Sequence, residues 1–164
     1  MEDSSSLKIL QDSLLGAPII WKGDYPYFIH PISDGIPRME AKVLRATRDL
    51  IVSIVDWDEI DLIVSVEAMG LPLLAAVGDA TGKPTVVIRK RSYGMEGEVS
   101  VNVSTGYSES TVYINDIKKG EKILIVDDVI STGGTLEPIL HTLQNMGIIL
   151  QDIIIAIEKG NGLE

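Results

Sequence analysis

Short apolar runs alternate with helical segments through most of this chain, and the alternation limits the folds that it can adopt. Four runs are rich in Ile and Val and are bounded by polar residues, as strands buried on both faces are. They are residues 62–66, 85–88, 123–126 and 153–157. Residues 71–80 and 135–146 have helical spacing instead. The pattern predicts an α/β fold with a parallel sheet, helices on both faces, and ligands bound beyond the carboxyl ends of the strands.

The chain before these strands is predicted to form two helices joined by an irregular segment. Residues 7–15 have the pattern of a short helix, and residues 39–55 have that of a long amphipathic one. Between them, residues 21–37 contain four aromatic residues among several glycines and prolines. Such a composition favours irregular structure.

A second irregular segment is expected at residues 91–110, which are rich in glycine and serine and poor in large apolar residues. We expect this segment to stay out of the core. A loop of this length in a compact domain is usually functional, so the sequence predicts a flexible lid that leads into a strand at residues 111–115.

Composition narrows the class of protein. With 164 residues, 45% of them hydrophobic, the chain can bury one sizeable core, so we expect a single domain over residues 1–164. A net charge of −10 repels nucleic acid, and the absence of cysteine excludes disulfides and thiolate chemistry. The polar start and the lack of a long apolar run predict a cytoplasmic protein without a signal peptide or membrane span.

The most informative stretch is ILIVDDVISTGGT, in which an apolar strand is followed by two carboxylates and a turn rich in glycine and hydroxyl groups. Unpaired backbone N–H groups at a helix start favour a phosphate dianion. Asp127 and Asp128 can accept hydrogen bonds from two neighbouring sugar hydroxyls. A ligand with a ribose diol beside a phosphate fits both the carboxylates and the turn. The alternative is that these residues only cap the helix. The turn consists of Ser131, Thr132, Gly133, Gly134 and Thr135.

Two more segments follow strands at the same predicted edge of the sheet. Glu67-Ala68-Met69-Gly70 comes directly after residues 62–66, and Arg89-Lys90-Arg91 comes directly after residues 85–88. On an acidic protein, three consecutive basic residues provide the local positive field that a phosphate leaving group requires. The alternatives are a plain helix start for the first segment and a solvated basic run for the second.

The stretch VDDVISTGGT closely resembles the binding motif of the type I phosphoribosyltransferases, which use phosphoribosyl pyrophosphate (PRPP). The resemblance implies a Rossmann-like parallel-sheet fold with a small N-terminal hood, about residues 16–38, and a flexible loop, about residues 91–110. It assigns the ribose hydroxyls to Asp127 and Asp128 and the 5-phosphate to residues 131–135. It further implies a homodimer and a magnesium ion that binds through PRPP rather than directly to the protein.

The same resemblance assigns further roles to individual residues. It implies that pyrophosphate is bound by Glu67, Ala68, Met69, Gly70, Arg89, Lys90 and Arg91. Met69 stands where adenine-type members usually have an arginine, which leaves the backbone of this loop to make the contact. The catalytic groups that it implies are Asp127, Asp128, Arg89 and Lys90. The residues that it implies for binding of the purine base are Tyr27, Phe28, Val129 and Lys159.

Over its whole length the chain is most similar to archaeal-type hypoxanthine/guanine phosphoribosyltransferases. This similarity implies displacement of pyrophosphate from PRPP by a 6-oxopurine, whose oxo group Lys159 would recognise. Two departures leave adenine open as an alternative substrate. Ser131 stands where classical hypoxanthine-guanine enzymes have a general-base aspartate, and Gly106 stands where adenine enzymes have a loop glutamate.

A PRPP-sensing regulator built on the same fold is a second alternative. Such a protein needs a DNA-binding domain, and the region before the first core strand has no helix-turn-helix pattern and little basic charge. His30 and His141 are far apart in the sequence and have no acidic cluster beside them, so we expect ordinary core or surface histidines rather than a metal site.

Overall fold

A computed structural model of the chain describes residues 2–105 and 108–159. The helices are α1 (Glu2–Leu15), α2 (Pro31–Asp34), α3 (Ala41–Ile54), α4 (Gly70–Thr81) and α5 (Leu136–Asn145), with a 3-10 turn at Trp57–Glu59. The strands are β1 (Ile19–Lys22), β2 (Tyr25–Phe28), β3 (Leu62–Val66), β4 (Thr85–Ile88), β5 (Val99–Thr105), β6 (Ser108–Ile114), β7 (Lys122–Ile130) and β8 (Ile149–Glu158).

The central sheet has four strands in the order β4-β3-β7-β8, and every neighbouring pair is parallel. The predicted parallel α/β sheet is therefore confirmed, and β3 and β4 have the bounds that the sequence predicts. On the β3 side, β7 is paired only as far as Ile125. On the β8 side, pairing continues to Ile130, which lies opposite Glu158. The last residues of β7 thus extend past β3 at the carboxyl edge of the sheet.

The two faces of the sheet bury separate clusters of apolar side chains. Helices α1, α3 and α4 cover one face, where Leu73 and Val77 pack on Ile63 and Leu124. Helix α5 covers the opposite face together with strands β5 and β6. Consecutive residues of a strand point to opposite faces, which explains why Ile63 and Val64 lie in different clusters while both are fully buried.

The prediction that residues 21–37 are irregular is wrong. Strands β1 and β2 form an antiparallel ribbon in which Ile19 lies opposite Phe28, and the short helix α2 follows. Gly23 has a φ of 62° in the turn between the strands, a conformation that suits glycine. Pro26 is tolerated because a two-stranded ribbon leaves an edge that needs no amide donor.

The prediction that residues 91–110 stay out of the core is also wrong. Strands β5 and β6 form an antiparallel hairpin, and Val101 and Val103 are only 5% and 4% exposed. Serine and asparagine alternate with valine here, so the segment has one apolar face despite its polar composition. This face packs against α5. Gly106, which bears on the adenine alternative, lies outside the described residues.

Strands β7 and β8 are both longer than predicted. The sequence predicts that the apolar part of β7 ends at residue 126, because carboxylates follow, but backbone pairing with β8 carries the strand through both acids. Within the described part of the chain, no helix combines the length and apolar character needed to cross a lipid bilayer.

Candidate active site

Asp127 and Asp128 lie inside β7 rather than after it, in the part of the strand that extends past β3. Asp128 is only 6% exposed, and its backbone N–H donates to Oδ1 of Asp127 at 3.0 Å. Asp127 is half-buried. The structure therefore brings two carboxylates together at the carboxyl edge of the sheet, where the sequence predicts a ligand site.

Burial changes the acidity of both carboxyl groups. It raises the pKa of Asp127 above its ordinary value. For Asp128, burial and then the neighbouring negative charge of Asp127 raise the pKa to about 8. Two adjacent acids in an apolar setting disfavour the doubly ionised form. A ligand that donates hydroxyl hydrogen bonds to the pair would relieve this cost, and a ribose diol is such a ligand.

The turn that follows β7 has the features of an anion site. Helix α5 begins at Leu136, and Gly133 has a φ of 72°, which strongly favours glycine. Within residues 2–105 and 108–159, no protein acceptor is found for the backbone N–H groups of Ser131, Thr132, Gly133 and Gly134. Donors of this kind at a helix start suit a phosphate.

The β5–β6 hairpin holds this turn in place. The backbone N–H of Ser104 donates to the carbonyl oxygen of Gly134 at 3.2 Å. A Cβ atom on Gly134 would lie 2.4 Å from the backbone oxygen of Ser104, so no side chain fits there. Gly134 thus lets the backbone of a second strand approach the turn.

The loop after β3 and the basic residues after β4 contact each other through Glu67. Arg89 Nε and the backbone N–H of Lys90 donate to the same Glu67 oxygen, at 2.7 and 3.0 Å. These hydrogen bonds, that from Lys90 first, lower the pKa of Glu67. Through these hydrogen bonds Glu67 orients Arg89. The peptide bond between Glu67 and Ala68 is cis. Direct contact of this loop with pyrophosphate stays a prediction.

Gly70 brings the same loop against the acid pair. A Cβ atom at this position would lie 2.0 Å from Ser65 Oγ and 2.4 Å from Asp127 Oδ1, so both oxygens converge on one point. Ser65 is fully buried, and its hydroxyl has no hydrogen-bond partner within the described residues. The sequence prediction does not include Ser65, although a hydroxyl within an otherwise apolar strand is a usable signal.

Two of the three basic residues after β4 contact Tyr93. The guanidinium groups of Arg89 and Arg91 lie over its ring, 5.4 and 4.8 Å from the centroid, and Lys90 is exposed. Glu98 accepts hydrogen bonds from the side chain of Ser92, from the Tyr93 backbone at 2.9 Å and from Asn115 at 3.0 Å. These bonds lower the pKa of Glu98 to about 2, and they join its carboxylate to residues on both sides of it in the chain.

The hood residues meet at Lys159, which follows β8. Its Nζ donates to the Phe28 carbonyl oxygen at 3.2 Å and to Asp34 Oδ2 at 3.4 Å. It also lies 5.4 and 5.2 Å from the ring centroids of Tyr27 and Phe28. Three residues predicted to bind the base are therefore together. The fourth, Val129, is half-buried on β7.

His30 is a core residue rather than a metal ligand. It is fully buried, and its Nδ1 accepts from the backbone N–H of Ile32 at 3.2 Å. Its Nε2 lies 3.1 Å from Ser13 Oγ, which places the ring proton on Nε2. Burial and then the charge of Lys159 lower the pKa of His30, so the ring is neutral. Within the described residues no group of three His, Cys, Asp or Glu could hold a metal.

An acid pair, a glycine-rich turn and a cluster of basic residues lie at one edge of the parallel sheet of this α/β protein. Residues 34–162 match the model of the phosphoribosyl transferase domain. The chain belongs to the phosphoribosyltransferase family, as its resemblance to that family predicts.

Comparison with solved structures supports the fold. The chain is similar to adenine phosphoribosyltransferase from Thermoanaerobacter pseudethanolicus, with a TM-score of 0.75 and 22% identity over 91% of this chain and 87% of that one. It is also similar to the enzyme from Saccharomyces cerevisiae, solved with an imino-altritol bisphosphate and adenine, with a TM-score of 0.78 and 20% identity over 93% and 90%. At these identities the likeness concerns the fold alone.

Curated relatives are much more similar in sequence. The chain is 48% identical to the hypoxanthine/guanine phosphoribosyltransferase of Methanohalophilus mahii, over 96% of this chain and 83% of the relative. It is 50% identical to the protein of the same name from Methanocaldococcus infernus, over 94% and 85%.

Proposed function

We propose that this protein transfers the phosphoribosyl group of PRPP to hypoxanthine or guanine, forming IMP or GMP and releasing pyrophosphate, in purine salvage. The observation that carries the proposal is the pair of a half-buried Asp127 and a buried Asp128 just before a turn in which four amides have no protein acceptor among the described residues. The names and nearly full-length similarity of the archaeal relatives support the choice of purine.

We place PRPP along the carboxyl edge of the sheet, with its 5-phosphate at the turn after β7. The ribose hydroxyls would donate to Asp127 and Asp128, and the 5-phosphate would accept from the amides and hydroxyls of Ser131, Thr132 and Thr135. The pyrophosphate would then lie near the loop at Gly70, which contacts Asp127, and near Arg89, which Glu67 orients. This placement leaves C1 of the ribose facing the hood.

Catalysis in this arrangement needs no protein nucleophile. A purine ring nitrogen forms a bond to C1 while the bond from C1 to pyrophosphate breaks. The pyrophosphate leaves with the electron pair of that bond, and the proton of the ring nitrogen passes to solvent. Positive charge develops on the sugar ring and negative charge on the leaving oxygen. Arg89 and Lys90 would stabilise the leaving group, and the fixed positions of the two substrates would supply much of the remaining rate.

Magnesium fits this site as an ion that arrives with PRPP. Oxygen is the ligand that Mg²⁺ prefers, and the pyrophosphate supplies several oxygens. A cation beside the acid pair would favour the ionised form of two carboxyl groups whose pKa values burial raises. The ion would offset charge on the leaving group. We expect EDTA to abolish turnover and added Mg²⁺ to restore it.

Lys159 is the residue that would recognise the 6-oxo group of the purine. An ammonium group has donors and no acceptor, so it can pair with a 6-oxo group and cannot pair with the 6-amino group of adenine. Its position against Tyr27 and Phe28 places it in the hood, where a base would stack.

We further propose a cytoplasmic homodimer that does not bind nucleic acid. The net charge of −10 opposes contact with a phosphate backbone. Several large apolar side chains near the hood are exposed in a single chain, among them Leu15 at 87% and Trp21 at 67%, and a second copy could cover them. Light scattering after gel filtration would measure the mass; a monomer at all concentrations would contradict this assembly.

The decisive experiment is a turnover assay with PRPP, Mg²⁺ and each of hypoxanthine, guanine, xanthine and adenine. We expect turnover of hypoxanthine and guanine. Asp127→Asn and Asp128→Asn should each lower kcat/KM by roughly a hundredfold, because each amide replaces one acceptor for the ribose hydroxyls with a donor. Asp79→Asn, which changes an exposed carboxylate on α4, is the matched control and should retain full activity. Turnover of adenine alone would overturn the proposed substrate, and PRPP binding without turnover would favour a sensor.

A further inference from the structure

We infer that Asp34 is a positioning residue for purine selection, because its carboxylate holds the Lys159 ammonium where it can donate to the 6-oxo group. This inference rests on the proposed function and names a residue that the reaction itself does not require. Asp34 ends helix α2, whereas Lys159 lies 125 residues further along the chain, so only the folded protein brings them together.

The Asp34 carboxylate is held from several sides. Oδ2 accepts from the backbone N–H of His30 at 3.0 Å and from Ser33 Oγ at 2.7 Å, while Oδ1 accepts from the Tyr27 hydroxyl at 3.3 Å. Burial acts to raise the pKa of Asp34, but the hydrogen bonds from His30 and Ser33 and the charge of Lys159 outweigh it, so the pKa is lowered. The carboxylate is therefore ionised and fixed before any base arrives.

The Asp34–Lys159 pair is more enclosed than the other ion pairs of the described residues. The two side chains are 17% and 21% exposed, compared with 50% and 38% for Glu59 and Lys122. Solvent screens an enclosed pair less than an exposed one. Asp34 can thus restrain Lys159 in a way that a surface carboxylate could not.

Restraint matters because lysine ends in a point charge on a flexible four-carbon stem. An ammonium group has three N–H donors. Two of them have partners, Phe28 O and Asp34 Oδ2, and no third acceptor for Nζ is found within the described residues. One donor remains for the substrate. The charge of Lys159 also opposes the rise in the pKa of Asp128, so the ammonium acts on the predicted ribose site as well as on the hood.

This geometry predicts which purines are rejected as well as which are bound. A 6-oxo group completes the set of acceptors around the ammonium. Adenine offers an amino group there, so one N–H of a partly buried cation would lose water and gain no partner. A lysine without Asp34 could turn away from that clash, and discrimination would fall.

The test compares Asp34→Asn with two other changes in the full-length protein. Asp34→Asn keeps the shape and a neutral acceptor but removes the charge that holds Lys159. Ser33→Ala is the matched control, because it removes the shortest hydrogen bond to Asp34 and leaves the carboxylate. Lys159→Met removes the ammonium itself. For each variant, kcat and KM are measured for hypoxanthine, adenine and PRPP, with thermal melting as the test of folding.

We expect Asp34→Asn to raise the KM for hypoxanthine by roughly tenfold to a hundredfold, with the KM for PRPP unchanged. The double variant with Lys159→Met should be no worse than Lys159→Met alone, since Asp34 acts through Lys159. Asp34→Glu, which restores the charge, should recover part of the lost affinity for hypoxanthine even if Asp34→Asn folds poorly.

Three results would overturn the inference while leaving the proposed function standing. They are an unchanged hypoxanthine KM in Asp34→Asn, an equal rise in the PRPP KM, and losses that multiply in the double variant, as they would if Asp34 contacted the base directly. A wild-type protein that uses adenine alone would instead overturn the proposed function, and this inference with it.

Discussion

At the scale of single residues, the site depends on places where a side chain is absent. Gly70 allows Ser65 and Asp127 to converge on one point, and Gly134 allows the backbone of Ser104 to reach the phosphate turn. Both glycines stand in segments that the sequence marks as candidate sites. The close approach of Ser104 to Gly134 could not be predicted, because the two residues are distant in the chain.

Gly70→Ala should damage the site without unfolding the protein. The added Cβ would meet two oxygens at 2.0 and 2.4 Å, which forces Asp127 or the loop to move. Overpacking of this kind costs about 1–3 kcal/mol. We expect the KM for PRPP to rise by roughly tenfold or more, since a free-energy cost of about 1.4 kcal/mol corresponds to a tenfold change in binding. Gly16→Ala, whose Cβ would meet its nearest atom at an ordinary 3.4 Å, is the control. An unchanged PRPP KM in Gly70→Ala would contradict this account of the loop.

At the scale of secondary-structure elements, the hood is attached to the rest of the molecule by polar contacts at its two ends. His30 connects it to α1 through Ser13, and Asp34 connects it to the end of β8 through Lys159. Phe28 stacks on His30, with ring centroids 5.8 Å apart. The position of the hood therefore depends on contacts with α1 and with the end of β8.

Ser13→Ala should weaken the contact between α1 and the hood. The variant leaves the buried Nε2–H of His30 without its acceptor, which costs about 1–3 kcal/mol. Thermal or urea unfolding would measure the loss, with the exposed Ser5→Ala on the same helix as the control. Since the pKa of His30 is lowered from 6.5, the unfolded chain takes up a proton first, and stability should fall as the pH drops below that value. Equal stability of the two serine variants would show that this hydrogen bond does not hold the hood.

At the scale of the whole molecule, one parallel sheet separates two apolar clusters, and the acid pair lies at its edge without leaving the protein interior. Helices are confirmed on both faces, but the second face is completed by a β-hairpin that the sequence assigned to a mobile lid. The site is therefore placed by the sheet, and the β5–β6 hairpin contacts its turn at Gly134.

The acid pair should make the stability of the whole protein depend on pH. The pKa of Asp128 is raised from 3.8 to about 8, so the folded protein keeps a proton that the unfolded chain releases. The free energy of unfolding should then fall as the pH rises through this window. Asp128→Asn should flatten the fall and melt at a higher temperature than the wild type at about pH 8 in the absence of ligand. Parallel melting curves for the two proteins between about pH 5 and about pH 8 would contradict the raised pKa.

Local chemistry alone determined the strands β3 and β4, the parallel sheet, the acid pair and the phosphate turn. Each depends on residues that are close in the chain, such as apolar runs of branched residues and a glycine-rich turn after two carboxylates. Tertiary structure decided where β7 ends, how Val101 and Val103 become core, and which side chains meet Lys159. These features depend on pairing and packing between distant segments, which no local pattern specifies.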